Sequence, residues 1–245
     1  MSLAVREPTA IIIGTVPSAA AWVRRALVSR PDVHQPAGGS SVAALTSGRL
    51  DTYLQAYADW AGQPVSLDSV DLLRHRARPA EMAVRLGELL PSTRLIAVLS
   101  APWERAAQAF SQHRAAGRID ADVTFSSYLH GVDHGLDPLE VMCAGRYAEL
   151  LAPFVEGPSP LLVLSEAELL TDPARTWMEL LGFLGLHWEA DATPRALERS
   201  TPEARPWSLP DPGVTDDDRW FCRRFYDSEP EALAQLLGRP IAEHW

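Results

Sequence analysis

The sequence predicts an α/β fold, a three-layer sandwich whose central parallel sheet is covered by helices on both faces. Its first sign is a set of continuously apolar runs, Ala10–Ile13, Leu95–Leu99 and Leu161–Leu164, which are typical of strands buried on both sides. Its second sign is that helical stretches separate these runs, as in parallel sheets. A chain of 245 residues, 47% of them hydrophobic, can also bury a full core.

The first strand leads into a turn and a helix, in the stretch TAIIIGTVPSAAAWVRRAL. Many α/β proteins hold a phosphate group at such a strand–turn–helix junction, so the predicted fold is P-loop-like. This turn contains no lysine, and no glycine follows Gly14 within the stretch. Its alanines still favour a helix, which Pro31 ends. The stretch therefore predicts the geometry of a phosphate loop without its charged side chains.

The middle of the chain continues the alternation of helices and strands. A helical stretch, VAALTSGRLDTYLQAYADWAG, is interrupted near Gly48, and the ambiguous PVSLDSVDLL fits a short strand and a turn. Pro79 and Pro91 bound the next helix. The clearest central strand, RLIAVLS, then leads into a helix that begins at Pro102.

The last part of the chain adds one strand and three helical stretches. PLEVMCAGRYAELLAPFVE is predicted to be helical, PLLVLSE is a strand, and DPARTWMELLGFLGL is a helix. Thr215 to Leu237 forms a final helix with a break around Pro230. No fixed-period repeat or low-complexity linker interrupts the pattern, so we expect one domain over residues 1–245. Ligands of such folds bind beyond the carboxyl ends of the strands, here after Ile13, Leu99 and Leu164.

The charge of the chain restricts its partners. A net charge of −10 argues against general nucleic-acid binding, which needs a basic face. All 22 basic residues are arginine, and there is no asparagine. Since lysine and asparagine share AT-rich codons, this composition suggests a bacterium with GC-rich DNA. A local arginine cluster could still bind a small anion.

Cysteines and apolar runs indicate the compartment. Cys143 and Cys222 have no metal-ligand spacing, so we expect no metal. No apolar run approaches the ~18 residues of a membrane span, and the amino terminus lacks the pattern of a signal peptide. We expect a soluble cytoplasmic protein with a small-molecule partner.

Three stretches carry a family resemblance: LLPSTRLIAVLSAPWERAAQAFSQH, then AGRYAELLAPFVEGPSPLLVLSEAELLTDPARTWMELLGFLGL, then DDDRWFCRRFYDSEPEALAQLLGRPIAEHW. In their order and spacing they resemble the sulfotransferases that use 3′-phosphoadenosine 5′-phosphosulfate. The resemblance spans the chain from the first strand to Trp245. It implies a P-loop-like α/β sandwich, that donor, no metal, and a hydroxylated small molecule as acceptor.

The resemblance places the donor's phosphate loop at Ser18, Ala19 and Ala20. The family has a lysine in this loop, followed by a glycine and two threonines. This chain has Pro17 or Ser18 at the lysine position, and alanines follow. The serine and the helix start are kept, but the positive charge and the threonine hydroxyls are missing.

The resemblance also implies a site for the donor's 3′-phosphate. Ser100 stands where the family has its leading arginine, Arg105 keeps a later arginine, and Gln108 replaces a serine. Arg205 is the best match to a late arginine-rich loop, and a surface arginine in a proline-rich loop fits the sequence equally. Each lost charged hydrogen bond costs about 1.5–3 kcal/mol, so two or three losses weaken nucleotide binding roughly 10³-fold. These substitutions predict atypical or lost donor binding.

The acceptor's general base has two candidates. Asp71 aligns with a glutamate that some relatives use, although only one residue in four of that segment matches and an exposed loop aspartate fits the sequence better. Other relatives use histidine, and His130 and His134 flank Asp133 in SYLHGVDHGLDP. A carboxylate beside an imidazole can orient it as a base, while a solvated helix end is the alternative.

Three functions remain open at this point. The first is a sulfotransferase-like enzyme acting on a small hydroxylated molecule, in bacterial secondary metabolism, with an altered donor site. The second keeps the cleft for a donor-independent cyclisation or dehydration of a natural-product intermediate. The third is a non-catalytic binding protein.

Overall fold

The computed structural model describes residues 7–14, 19–36, 49–70, 72–73, 79–187 and 212–241. Its centre is a parallel sheet of five strands in the spatial order β2-β3-β1-β4-β5. The strands are β1 (Ala10–Gly14), β2 (Val33–His34), β3 (Val65–Ser69), β4 (Arg94–Leu99) and β5 (Leu161–Ser165). The three strands predicted from apolar runs are therefore confirmed, and the ambiguous PVSLDSVDLL contains β3.

The helices within the described residues fall largely where proline and glycine signals place them. In chain order they are α1 (Ala20–Val28), α2 (Leu50–Leu54), α3 (Pro79–Leu89), α4 (Pro102–Ala115), α5 (Phe125–Asp133), α6 (Tyr147–Val155), α7 (Glu166–Thr171), α8 (Pro173–Leu184), α9 (Asp216–Phe225) and α10 (Glu229–Leu237). Short 3₁₀ turns lie at Gln55–Tyr57 and Cys143–Gly145. None of the helices in these ranges is long and apolar enough to cross a membrane.

Strand β1 shows why the sheet is covered on both faces. Successive side chains of a strand point to opposite faces. Ala10 and Ile12 pack in one core with α1 and α8, whereas Ile11 and Ile13 pack in a second core with α3 and α6. Each apolar run is thus buried on both sides, and the predicted three-layer α/β sandwich is confirmed.

A third cluster of buried side chains joins α4, α5 and α9 at one end of the molecule. Phe110 of α4 packs edge-on against Phe125 of α5, with ring centroids 5.3 Å apart. Met142 and Cys222 belong to the same cluster. This cluster packs α4 against α5 and α9.

The predicted helix over residues 138–156 is wrong in its first half. The carboxylate of Asp137 accepts hydrogen bonds from the backbone N–H groups of Val141, Met142 and Cys143, at 2.8–2.9 Å. These contacts favour a turn over a helix at this point, because they use the N–H groups that an earlier helix would need. The helix α6 therefore begins only at Tyr147.

Candidate functional site

The ends of β1, β4 and β5 lie side by side at the carboxyl edge of the parallel sheet. β1 ends at Gly14, whose φ of 143° is a conformation that favours glycine. Ser18 lies outside the described residues, but Ala19 and Ala20 follow in the structure, and both are buried. The carbonyl of Ala19 accepts from the N–H of Val23 at 2.8 Å, so α1 starts close to the sheet edge. Ala19 offers no side-chain cap.

Ser100 and Glu166 meet at the neighbouring strand ends. Ser100 follows β4 directly and is fully buried, and Glu166 opens α7 with 2% of its surface exposed. The hydroxyl of Ser100 donates a hydrogen bond to Oε2 of Glu166. The hydroxyl of Tyr147 also donates to the Ser100 carbonyl at 3.1 Å. Ser100, which the resemblance aligns with the family's leading arginine, is thus a neutral side chain bound to a buried carboxylate.

A capping box sets the position of Glu166. Ser165, the last residue of β5, accepts from the N–H of Ala167 at 3.1 Å, and Glu168 accepts from the N–H of Ser165 at 3.1 Å. This reciprocal pair starts the helix immediately after the strand. Glu166 therefore lies at the strand end, beside the loop that follows β4. The serine and glutamate of the capping box were visible in the sequence SEAE. Nothing in the sequence showed that Glu166 contacts Ser100.

Arg105 and Gln108 lie one helical turn apart on α4. Arg105 is 3% exposed, and its guanidinium donates to the carbonyl of Val141. Its Nε and the Oε1 of Gln108, both buried, have no hydrogen-bond partner in the described part of the structure. Arg105 thus ties α4 to the turn that Asp137 organises. Its role as a donor contact stays a prediction.

The predicted histidines lie on the outside of the molecule. His130 is in the last turn of α5 and His134 directly follows that helix, and both are exposed. The Nδ1 of His134 lies 2.9 Å from the His130 carbonyl, and the two rings are 4.6 Å apart. Neither ring lines the cavity described below. A catalytic role for this pair stays a prediction, as it does for Asp71, which falls outside the described residues together with Arg205.

A buried acid that the sequence did not single out lies near the end of β3. Asp68 accepts from the hydroxyl of Tyr53 at 2.5 Å and from the N–H of Ser69 at 2.7 Å. The hydroxyl of Tyr57 lies 3.1 Å from that of Tyr53. Burial, with the charge of Asp68, raises the pKa of both tyrosines far above their usual range. The phenols therefore stay protonated, and Tyr53 serves as the donor that satisfies Asp68.

Two tryptophans, in the first turns of the helices that follow β1 and β4, have different surroundings. Trp22 of α1 is buried in the core between α1 and α8, so it packs and does not face solvent. Trp103, in the first turn of α4, is half-buried, and the Arg219 guanidinium lies 5.8 Å from its ring centroid. Trp103 also lines a cavity of about 230 Å³ between the start of α4 and helices α9 and α10.

Two groups at this cavity carry raised pKa values. Burial, with a smaller effect of Asp218, raises the pKa of the Cys222 thiol to about 12. Burial also raises the pKa of Tyr226, whose hydroxyl donates to the Met142 carbonyl at 2.6 Å. Both groups are neutral at physiological pH. No group of three or more metal-ligating side chains is found among the described residues.

The comparisons with known proteins found matches in structure but none in sequence. The chain matches no protein-family model and no curated protein in sequence. In structure it is similar to a sulfotransferase from Alicyclobacillus acidocaldarius, with a TM-score of 0.72 and 17% identity over 97% of this chain and 98% of that one.

Two further solved structures are similar to it. The mouse sulfotransferase SULT7A1 in complex with PAP has a TM-score of 0.58 and 11% identity, over 92% of this chain and 85% of that one. The sulfotransferase domain from the curacin biosynthetic pathway has a TM-score of 0.56 and 12% identity, over 97% and 100%. The chain therefore has the sulfotransferase fold, and identities this low extend the likeness no further than the fold.

Proposed function

We propose that this chain is a sulfotransferase-like enzyme that acts on a small hydroxylated molecule, with sulfate-donor binding that departs from the family's. The fold supports the first part, because the similarity to the Alicyclobacillus sulfotransferase covers 97% of this chain. That coverage also supports one domain over residues 1–245. The PAP bound to the mouse sulfotransferase makes the related sulfate donor a plausible ligand of the same fold.

The contact between Ser100 and Glu166 carries the second part of the proposal. A phosphate bound beside Ser100 would meet a buried carboxylate in place of an arginine. Two negative groups in a poorly solvated site repel each other more strongly than in water. A serine hydroxyl already donating to Glu166 is also not available to a phosphate oxygen. We therefore expect the donor to bind weakly, held mainly by backbone N–H groups at the start of α1.

Sulfuryl transfer would require little covalent chemistry from the protein itself. The bond between sulfur and the donor's phosphate oxygen breaks, the acceptor oxygen bonds to sulfur, and the acceptor's proton passes to a base. By analogy with phosphoryl transfer, the enzyme contributes positioning and stabilisation of developing charge. Asp71, His130 and His134 stay the proposed candidates for the base, and Ser18, Ala19, Ala20, Arg105 and Arg205 for donor contacts.

The remaining parts of the proposal concern the source organism, the metabolic role and the compartment. We place the enzyme in bacterial secondary metabolism, in the cytoplasm. An arginine-only set of 22 basic residues supports a GC-rich bacterial source. The sulfotransferase domain of the curacin pathway supports a biosynthetic role for a protein of this fold.

A donor-independent reaction is the second candidate, and the same contact favours it. Glu166 is a buried carboxylate at the carboxyl edge of the sheet, hydrogen-bonded to a hydroxyl. Such a pair can move a proton to or from a substrate once one reaches it. A cyclisation or dehydration of a natural-product intermediate would need this chemistry and no sulfate donor.

One assay distinguishes the two candidates. The protein is incubated with a panel of phenols and alcohols, with and without 3′-phosphoadenosine 5′-phosphosulfate, and the products are analysed by mass spectrometry. Sulfuryl transfer gives a product heavier by one SO₃ group and releases 3′-phosphoadenosine 5′-phosphate, only when the donor is present. Loss of water, or an isomer of the same mass, in the absence of donor supports the second candidate and contradicts the first.

A further inference from the structure

The cavity beside Trp103 has no role in the proposed function. It measures about 230 Å³ and lies between the first turn of α4 and helices α9 and α10. Its lining residues come from those elements and from the turn between α9 and α10, and they are Pro102, Trp103, Cys222, Arg223, Tyr226, Asp227 and Pro230. Neither Ser100 nor Glu166 is among them. The cavity is therefore lined by residues other than the pair that carries the proposed function, and competition by nucleotide tests whether the two sites overlap.

The walls of the cavity suit a flat ring. Pro102 and Pro230 supply apolar surface, and Trp103 supplies an indole. The Arg219 guanidinium lies 5.8 Å from the Trp103 ring centroid and is itself bound to Asp216 at 2.9 Å. Contacts of this kind restrict the orientation of the indole. A fixed aromatic face prefers a second ring in a stacked or edge-on arrangement.

Arg223 supplies a positive charge at the same cavity. It is exposed, and within the described ranges it makes no ion pair and stacks on no ring. Its neighbours are engaged, since Arg219 is bound to Asp216 and Arg224 lies 5.6 Å from the Trp220 ring centroid. Arg223 is therefore a guanidinium of α9 that no charged or aromatic side chain in the described ranges engages, and it can pair with an anion entering the cavity.

A buried cation lies near one lining residue of the cavity. The guanidinium of Arg105 opposes the effect of burial on the pKa of Tyr226. The Nε of Arg105 has no hydrogen-bond partner in the described structure. One lining residue, Asp227, is acidic, and its carboxylate disfavours ligands with several negative charges. It could accept a hydrogen bond from a ring hydroxyl or N–H group.

We propose that this cavity binds a small aromatic monocarboxylate, with its ring against Trp103 and its carboxylate paired with Arg223. Sites for drug-sized ligands measure about 300–1,000 Å³, so this smaller volume admits a ligand of one or two rings. A planar carboxylate fits the two-pronged guanidinium of arginine better than it fits an ammonium group.

The test is a calorimetric titration with 1-naphthoate, and with 1-naphthamide as a ring of the same shape without the charge. We expect naphthoate to bind with a submillimolar Kd and naphthamide to bind at least tenfold more weakly. Arg223→Gln should weaken naphthoate binding about tenfold or more, since it removes a charged hydrogen bond. Arg224→Gln, the matched control one residue away, should leave the Kd unchanged.

Trp103→Leu tests the ring contact, and its melting temperature is compared with that of the wild type to show that it folds. The proposal is overturned if naphthoate gives no heat at millimolar concentration, or if naphthamide binds equally well. It is also overturned if Arg223→Gln and Arg224→Gln have the same effect. Competition by saturating 3′-phosphoadenosine 5′-phosphate would assign the heat to the donor site and overturn the proposal as well.

Discussion

Replacing Asp137 with asparagine should destabilise the protein, because the Asp137 carboxylate organises the turn before α6. One oxygen, Oδ1, accepts from the hydroxyl of Tyr128 at 2.7 Å and from the N–H of Val141 at 2.8 Å. The other, Oδ2, accepts from the N–H groups of Met142 and Cys143 at 2.9 and 2.8 Å. The carbonyl of Val141 in turn receives the Arg105 guanidinium.

The magnitude follows from counting these contacts. An asparagine has one carbonyl oxygen, so its NH₂ group faces two donors that lose their acceptor. Each buried donor left unsatisfied costs about 1–3 kcal/mol, and the two bonds that remain lose the contribution of the charge. Because Asp137 is only half-buried, water recovers part of this loss. We expect Asp137→Asn to lower the free energy of unfolding by about 2–4 kcal/mol.

Unfolding in guanidinium chloride, followed by circular dichroism, measures the effect. The midpoint should fall while the slope m stays constant, because the surface that unfolding exposes does not change. Asp133→Asn is the matched control, because Asp133 is exposed at the end of α5, and its effect should stay within about 0.5 kcal/mol. A loss below about 1 kcal/mol in Asp137→Asn would refute this account of the turn.

Two further predictions concern buried glutamates. Glu166→Gln keeps an acceptor for Ser100 and removes the negative charge, so it should tighten binding of 3′-phosphoadenosine 5′-phosphate about tenfold or more. The exposed Glu179→Gln is the control, and equal affinities in both variants and the wild type would contradict the prediction. Burial raises the pKa of the Glu229 carboxyl above its ordinary 4.5, so the folded protein binds this proton more tightly than the unfolded chain does. The protein therefore loses stability as the pH rises through the raised pKa. Glu229→Gln, which can still accept from the N–H of Ala148, should gain stability relative to the wild type over that pH range in denaturant titrations, and a difference independent of pH would count against the assignment.

The sheet could be predicted from the sequence because its signal is local. The runs that became β1, β4 and β5 are apolar on both faces, and that pattern needs no knowledge of distant residues. The helix starts at Pro102 and Pro173 are local signals too. β2 has only two residues, too few for any periodicity to appear. The helix α5 opens with a capping box between Thr124 and Ser127, a cue that was present in the sequence but weak beside the apolar runs.

The candidate site could be predicted only in part, because its contacts join distant segments. The alignment of Ser100 with an arginine of the sulfotransferases is an interpretation of the sequence and stays a prediction. The carboxylate that binds Ser100 lies 66 positions later, so its proximity depends on the pairing of β4 with β5. The same holds for Arg105, whose partner carbonyl belongs to a turn set by Asp137. Long-range contacts of this kind follow from topology, which local patterns do not specify.

The most direct test of the central claim is a calorimetric titration of the wild-type protein with 3′-phosphoadenosine 5′-phosphate. A sulfotransferase-like site that lacks its lysine and its leading arginine should bind this nucleotide roughly 10³-fold more weakly than a site with every charged contact in place. We therefore predict a weak but measurable interaction, with a Kd between about 1 µM and 1 mM. No heat at millimolar nucleotide would contradict sulfuryl transfer from this donor, and a submicromolar Kd would contradict the weakening assigned to Ser100 and Glu166.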